Sequence, residues 1–128
     1  MQQHLILELK KNIFSRAKIF IEDMGSFTPF AATSDGKTIK DLIAYEDFDG
    51  SVDVIKLIDL LKNGILQEFN NGLLMAGAIA YDVTINLENS DKVLEKRNAL
   101  CLLVTKDGKN WYDEYFPYRV TATQCVWR

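Results

Sequence analysis

Histidine is nearly absent from this sequence, because His4 is the only one among its 128 residues. A Ser-His-Asp triad, an HExxH metalloprotease helix and a zinc site with several histidines all need this side chain placed among its partners. The phosphate-binding motifs GxGxxG and GxxxxGK[ST] and the nucleophile motif GxSxG are missing too. The sequence therefore favours a non-catalytic protein with no metal ion and no cofactor, although enzymes without histidine exist.

Cysteine is scarce as well. Cys101 and Cys125 lie in separate apolar runs and do not form a CxxC pair. A small secreted domain held by disulfides normally carries more cysteines. We therefore expect two reduced thiols in a cytoplasmic protein. A single disulfide is the alternative if the two segments form neighbouring strands.

Long apolar runs and an excess of positive charge are also missing. No stretch approaches the roughly 20 apolar residues of a membrane span, and charged side chains interrupt residues 1–24, so we expect no signal peptide. The formal net charge of −3 argues against nucleic acid and anionic membranes as partners, because both need a cationic surface. The length and the 48% hydrophobic content predict one globular domain over residues 1–128.

Two segments have the apolar periodicity of amphipathic helices. Residues 2–24 place their apolar side chains on one broad face, and Gly25 is a natural end for that helix. Residues 52–70 form the second predicted helix, with Ser51 as N-cap. Gly64 inside this helix indicates a close contact with a neighbouring element.

The remaining segments read as strands joined by turns. Asp35-Gly36 and Asp107-Gly108 are pairs that tolerate positive φ at both central positions of a hairpin turn. An alternating run of alanines from residue 76 to residue 80 would let a helix approach the sheet closely. We expect strands over 27–34, 37–46, 73–87, 93–105 and 110–118, with residues 119–127 as a final strand or a docking tail.

The resulting order, α-β-β-α-β-β-β(-β), predicts an α+β fold with two helices and a largely antiparallel sheet of five or six strands. This order resembles that of profilin-like and roadblock-like domains, which is an analogy of architecture and implies little about activity. The alternative is an α+β sandwich with both helices on one face of the sheet.

Two short strings suggest a ligand site. Tyr81 and Asp82 lie on one predicted strand, and Tyr118 and Arg119 follow the aromatic strand. We consider a small polar pocket in which the planar fork of Arg119 binds an anionic group and a tyrosine supplies a hydroxyl. The structural alternative is an ion pair of Asp82 with Arg119 or Arg97 across strands.

Aromatic residues crowd the last third of the chain and suit either a core or the centre of an interface. We take Trp111, Tyr115 and Trp127 as candidate interface residues. Trp127 is expected to pack on a partner subunit or to seal the first helix. The acidic residues Glu46, Asp47 and Asp49 are expected to form a solvated loop, with a weak cation site as the alternative.

The strings Phe27-x-Pro29-Phe30-Ala31-Ala32, Tyr81-Asp82-Val83, Ser90-Asp91 and Phe116-Pro117-Tyr118-Arg119 resemble those of a set of small uncharacterised bacterial proteins. The resemblance spans about residues 26–120 and implies a bacterial, single-domain, cytoplasmic protein of no known activity. The function we predict is a protein-interaction module that self-associates as a homodimer or larger homo-oligomer. One specific form would be an immunity-type inhibitor that covers a basic toxin. The alternative is a small anionic-ligand-binding protein or a simple enzyme that uses the Tyr/Asp/Arg pocket.

Overall fold

The first helix, α1 (Gln2–Met24), buries one stripe of its surface against a β-sheet. The computed structural model describes residues 2–43, 53–88 and 90–127. Leu9, Ile13, Ala17 and Ile21 are each fully buried, and their spacing of four residues keeps them on one side of the helix. The helix ends before Gly25, as predicted, and the Gly25 N–H donates to the Ile21 carbonyl at 2.7 Å.

The second helix, α2 (Val54–Asn70), begins at an aspartate cap. Asp53 has extended backbone dihedrals, and its carboxylate accepts a hydrogen bond from the Lys56 N–H at 3.2 Å. The helix buries Leu57, Leu61 and Ile65. Ser51, the predicted cap, lies outside the described residues.

Six strands form one sheet in which every neighbouring pair is antiparallel. Their order across the sheet is β2-β1-β3-β4-β5-β6, and the sheet curls so that α1 contacts both β1 and β6. The predicted α+β fold and its element order are therefore confirmed, with residues 119–127 supplying the end of one strand and a final sixth strand. The strand bounds are β1 (Phe30–Ser34), β2 (Ile39–Ile43), β3 (Ala76–Glu88), β4 (Leu94–Thr105), β5 (Trp111–Thr121) and β6 (Gln124–Trp127).

The two helices cover opposite faces of the sheet, which we call the α1 face and the α2 face. The alternating alanines of β3, Ala76, Ala78 and Ala80, lie under α1 with Leu100 and Leu102 of β4. Ile79, Cys101 and Leu103 point the other way and pack with α2. The alternative with both helices on one face is therefore wrong, because successive residues of the central strands are apolar on both faces and need cover on each.

An aspartate carboxylate organises each of the two Asp-Gly turns. Oδ1 of Asp35 accepts the N–H groups of Lys37 and Thr38, both at 2.8 Å, and Oδ1 of Asp107 accepts those of Lys109 and Asn110 at the same distance. Positive φ is confined to the glycine of each pair, at +98° for Gly36 and +81° for Gly108. The prediction of positive φ at both positions is therefore wrong, because the aspartate acts through its side chain.

Cys101 and Cys125 are free and buried. Cys101 lies on the α2 face and Cys125 on the α1 face, so the alternative of a disulfide between them is wrong. Neither helix of the described ranges is long and apolar enough to cross a lipid bilayer.

Candidate functional site

Asp82 and Tyr118, two of the four predicted ligand-site residues, meet on the α1 face. The Tyr118 hydroxyl lies 2.9 Å from both carboxylate oxygens of Asp82, to which it donates across the intervening strand β4. The tyrosine is only 2% exposed. Because Tyr118 lies on β5, this contact joins β3 to β5.

Burial controls the protonation of this pair. It raises the pKa of the Asp82 carboxyl, and the hydrogen bonds from Tyr118, Phe27 and Val83 oppose the rise. Burial and then the hydrogen bond to Asp82 raise the pKa of Tyr118, so the hydroxyl keeps its proton and remains a donor. Because the Tyr118 hydroxyl already donates to Asp82, it is not available to bind an anion, and the pair holds strands β3 and β5 together.

Tyr81 and Arg119, the other two predicted residues, lie on the α2 face. Arg119 Nη2 lies 3.2 Å from Glu95 Oε1 on the neighbouring surface of β4. The prediction that all four side chains line one pocket is wrong, and so is an ion pair between Asp82 and Arg119 or Arg97. Tyr81 and Asp82 are consecutive in one strand, as are Tyr118 and Arg119 in another, and consecutive strand residues point to opposite faces.

A row of three side chains crosses the α2 face from β3 to β5. Tyr81 faces Cys101, and Cys101 faces Tyr115. The three side chains are therefore neighbours across the strands. Burial raises the pKa of the Cys101 thiol, which therefore stays protonated near neutral pH and is a poor nucleophile.

The predicted interface residues have different environments. Trp127 packs edge-to-face on Phe14 of α1, with ring centroids 4.8 Å apart, so it seals the first helix, which was one of the two expectations for it. Trp111 packs in the core beside α2, where Lys62 Nζ lies 5.6 Å from the ring centroid. Tyr115 alone of the three is exposed, by 47%.

An apolar groove opens between the first turns of α1 and strands β4 and β5. We call it the α1–β5 groove; it has a volume of about 440 Å³. Leu7 and Tyr112 line it and are 50% and 67% exposed. Lys10 Nζ and Glu114 Oε1 lie 3.2 Å apart on its wall. The remaining lining residues include Ile6, Leu102 and Val104.

Sequence reasoning missed Leu7 and Tyr112. Leu7 lies outside the apolar stripe of α1, but single exposed apolar residues are common, and Ile19 on the same helix is exposed as well, so the position of Leu7 in the sequence is by itself no signal. Tyr112 shares the α1 face with Phe116 and Tyr118, as alternation along β5 implies, but it lies beyond the area that the helix covers.

Beside this groove, the outer backbone edge of β5 carries no partner strand within the described ranges. β6 pairs with β5 only from Tyr118 to Thr121. The preceding residues, Trp111–Phe116, pair with β4 on one side alone, and we call their outer side the β5 edge. An unpaired strand edge presents N–H and C=O groups to which another strand can bind.

The described residues hold no group of three or more histidine, cysteine, aspartate or glutamate side chains that could bind a metal ion. The acidic residues Glu46, Asp47 and Asp49 lie outside them, so both expectations for that loop stay predictions. The chain matches no protein-family model, no curated protein and no solved structure. The resemblance to small bacterial proteins stays a prediction.

Proposed function

We propose that this chain is a non-catalytic protein-interaction module that self-associates through the α1–β5 groove and the β5 edge. The observation that carries the proposal is the juxtaposition of these two features. An unpaired backbone edge supplies hydrogen bonds, and the groove beside it supplies apolar area. This combination is typical of proteins that bind a further strand at a sheet edge.

The titratable groups support a non-catalytic role. Burial favours the neutral forms of Asp82, Tyr118 and Cys101, and each of the three already contacts a partner within the chain. The α1–β5 groove contains an ion pair on its wall and is otherwise mostly apolar. Apolar lining of this kind suits contact with another protein better than it suits an anionic small molecule.

Three finer predictions remain part of the proposal. They are a bacterial origin, a cytoplasmic location and the specific role of an immunity-type inhibitor. The net charge of −3 is compatible with binding to a basic partner. Self-association is the form that the groove and the edge favour.

The test is the mass of the particle in solution as a function of concentration, measured by sedimentation equilibrium. Leu7→Ser removes an exposed leucine of the groove from each copy, and the loss of about 1 kcal/mol of apolar contact per copy should weaken a symmetric dimer by about thirtyfold. Ile19→Ser is the matched control, because Ile19 is 58% exposed on the same helix and lies outside the groove.

Association of the wild type and the Ile19→Ser variant with equal affinity, and weaker association of the Leu7→Ser variant, would support the proposal. A wild-type chain that stays monomeric up to about 1 mM would contradict it, because even an association free energy of about −4 kcal/mol would be visible there.

A further inference from the structure

The last hairpin determines which backbone groups of β5 face outward. Ala122 and Thr123 form its two-residue turn, with φ of +48° and +67°, and Thr121 faces Gln124 across it. In such a hairpin the residues that flank the turn exchange both of their backbone hydrogen bonds. Alternation along β5 then directs the N–H and C=O groups of Trp111, Asp113 and Tyr115 toward the open side.

Pro117 fits the same alternation. It faces Ala99 of β4, and the same alternation directs its backbone groups away from β4. Because this position makes no hydrogen bond to β4, the missing N–H of a proline removes none from the β4–β5 pairing. The outward N–H groups of the β5 edge therefore end at Tyr115, and Pro117 offers only its carbonyl.

The neighbouring outer edge, that of β6, is closed by α1. The carboxylate of Glu22 accepts the Cys125 N–H at 2.9 Å, so this outward donor is already bound inside the chain. At the other end of the sheet, β2 carries the charged side chains Lys40 and Asp41, which disfavour strand addition. The β5 edge carries charged side chains as well, Asp113 and Glu114, so a strand can add there only in a register that keeps these carboxylates away from like charge.

The turn before β5 limits how far a new strand can extend. The N–H groups of Lys109 and Asn110 are bound to Asp107, so pairing cannot continue past Trp111 in that direction. A second copy that pairs antiparallel about a two-fold axis must therefore place the axis at Tyr112, Asp113 or Glu114.

Charge distinguishes these three registers. An axis at Asp113 sets that carboxylate opposite its own copy, and an axis at Glu114 does the same for Glu114. Like charges directly opposite each other destabilise a strand pair. An axis at Tyr112 avoids both, because Asp113 then faces Trp111 of the second copy and the two Tyr112 side chains face each other.

We infer that a second copy of this chain adds to the β5 edge in the register that places Tyr112 on the two-fold axis. This inference rests on the proposed function and specifies its geometry. The two sheets join into one continuous sheet, and each exposed Tyr112 ring lies over the α1–β5 groove at the interface. Trp111 and Asp113 exchange backbone hydrogen bonds between the copies.

The experiment is oxidative cross-linking of two single-cysteine additions, at a concentration where sedimentation shows the wild-type dimer. Facing residues in a pair without mutual hydrogen bonds have Cβ atoms about 4.5–5.5 Å apart, close to the range of a disulfide. Tyr112→Cys should therefore give a covalent dimer. The native cysteines are buried, so the added thiol is the accessible one.

Glu114→Cys is the matched control, since Glu114 is exposed on the same face of the same strand. In the inferred register its two copies lie about 13 Å apart along the strands and should not cross-link.

The outcomes test the register and self-association separately. Cross-linking at Tyr112→Cys and not at Glu114→Cys supports the inferred register. A wild-type dimer that cross-links equally at both positions, only at Glu114→Cys or at neither overturns the register and leaves self-association standing. A monomeric wild type overturns both and leaves the β5 edge to a different protein.

Discussion

The carboxylate of Glu22, in the last turns of α1, accepts a hydrogen bond from the backbone N–H of Cys125 at 2.9 Å. The two residues are more than a hundred positions apart in the sequence, and the contact holds the last strand against the first helix. Lys18 donates to the same carboxylate, and this contact, followed by the Cys125 N–H, lowers the pKa of Glu22. Glu22 therefore stays ionised and remains a strong acceptor at neutral pH.

This contact predicts the hydrogen exchange of the β6 edge. In the Glu22→Ala variant the Cys125 amide loses its acceptor, and we expect it to exchange with solvent faster than in the wild type. Residue-resolved exchange by NMR measures this directly. Asp23→Ala is the control, because Asp23 is an exposed acidic neighbour on the same helix. Equal Cys125 exchange in the wild type and the Glu22→Ala variant would argue against the contact.

The hydrogen bond from Tyr118 to Asp82 predicts a loss of stability on removal of one hydroxyl. Tyr118→Phe keeps the packing but leaves the half-buried carboxylate without this donor, at an expected cost of about 1–3 kcal/mol in the free energy of unfolding. Urea denaturation measures the change. Tyr112→Phe, on the same strand with an exposed ring, should change stability far less. Equal effects of the two variants would show that the hydrogen bond from Tyr118 to Asp82 contributes nothing to the free energy of unfolding.

The raised pKa of Asp82 predicts a pH dependence of folding. Because burial raises the pKa in the folded state above the unfolded value, this group contributes stability that is complete below about pH 4, its unfolded pKa. The contribution is lost as the pH rises through the folded pKa. We therefore expect the stability of the wild type, relative to Asp82→Asn, to fall as the pH increases above about 4.

Denaturant unfolding of both proteins across this pH range measures the difference. The turn carboxylates Asp35 and Asp107 contribute a pH dependence of stability with the opposite sign, because backbone hydrogen bonds lower their pKa values. The wild type and the Asp82→Asn variant both retain these two carboxylates, so their contribution cancels when the two proteins are compared. A stability difference that does not vary with pH would show that the pKa of Asp82 is the same in the folded and unfolded states, and one that grows in favour of the wild type would show that folding lowers it.

Local signals were enough to predict the element order. The apolar stripe of α1, its end at Gly25 and the two Asp-Gly turns depend on residues close together in the sequence, and the structure has each of them. The strand alternation that separates Tyr81 from Asp82 is also present in the sequence. Applied to both strings, that alternation by itself excludes a single pocket lined by all four side chains.

The groove and the strand edge could not be predicted in the same way. They depend on where α1 crosses the sheet and on how far β6 extends along β5, and both are set by contacts between distant segments. Trp127 shows the same limit. Its aromatic ring indicated that it would pack on something, but only the tertiary structure identifies Phe14 as its partner.

Two glycines show how close the second helix lies to the sheet. Gly64 in α2 was expected to mark a close contact, and that expectation is wrong, because a Cβ there would meet nothing within 4 Å. The close approach is at Gly77 of β3. A Cβ at that position would lie 3.1 Å from Ile65 Cγ2 and 3.6 Å from Thr105 Cγ2.

These positions predict opposite effects of the same substitution. Gly77→Ala should force α2 away from the sheet and lower the free energy of unfolding by about 1–3 kcal/mol. Gly64→Ala should raise it by about 0.5–1 kcal/mol, because alanine restricts the unfolded chain and fits the helix without a clash. Urea denaturation of the two variants beside the wild type measures both changes. Stabilisation by Gly77→Ala would mean that α2 does not pack on β3 at this distance, since only a looser contact has room for the added methyl group.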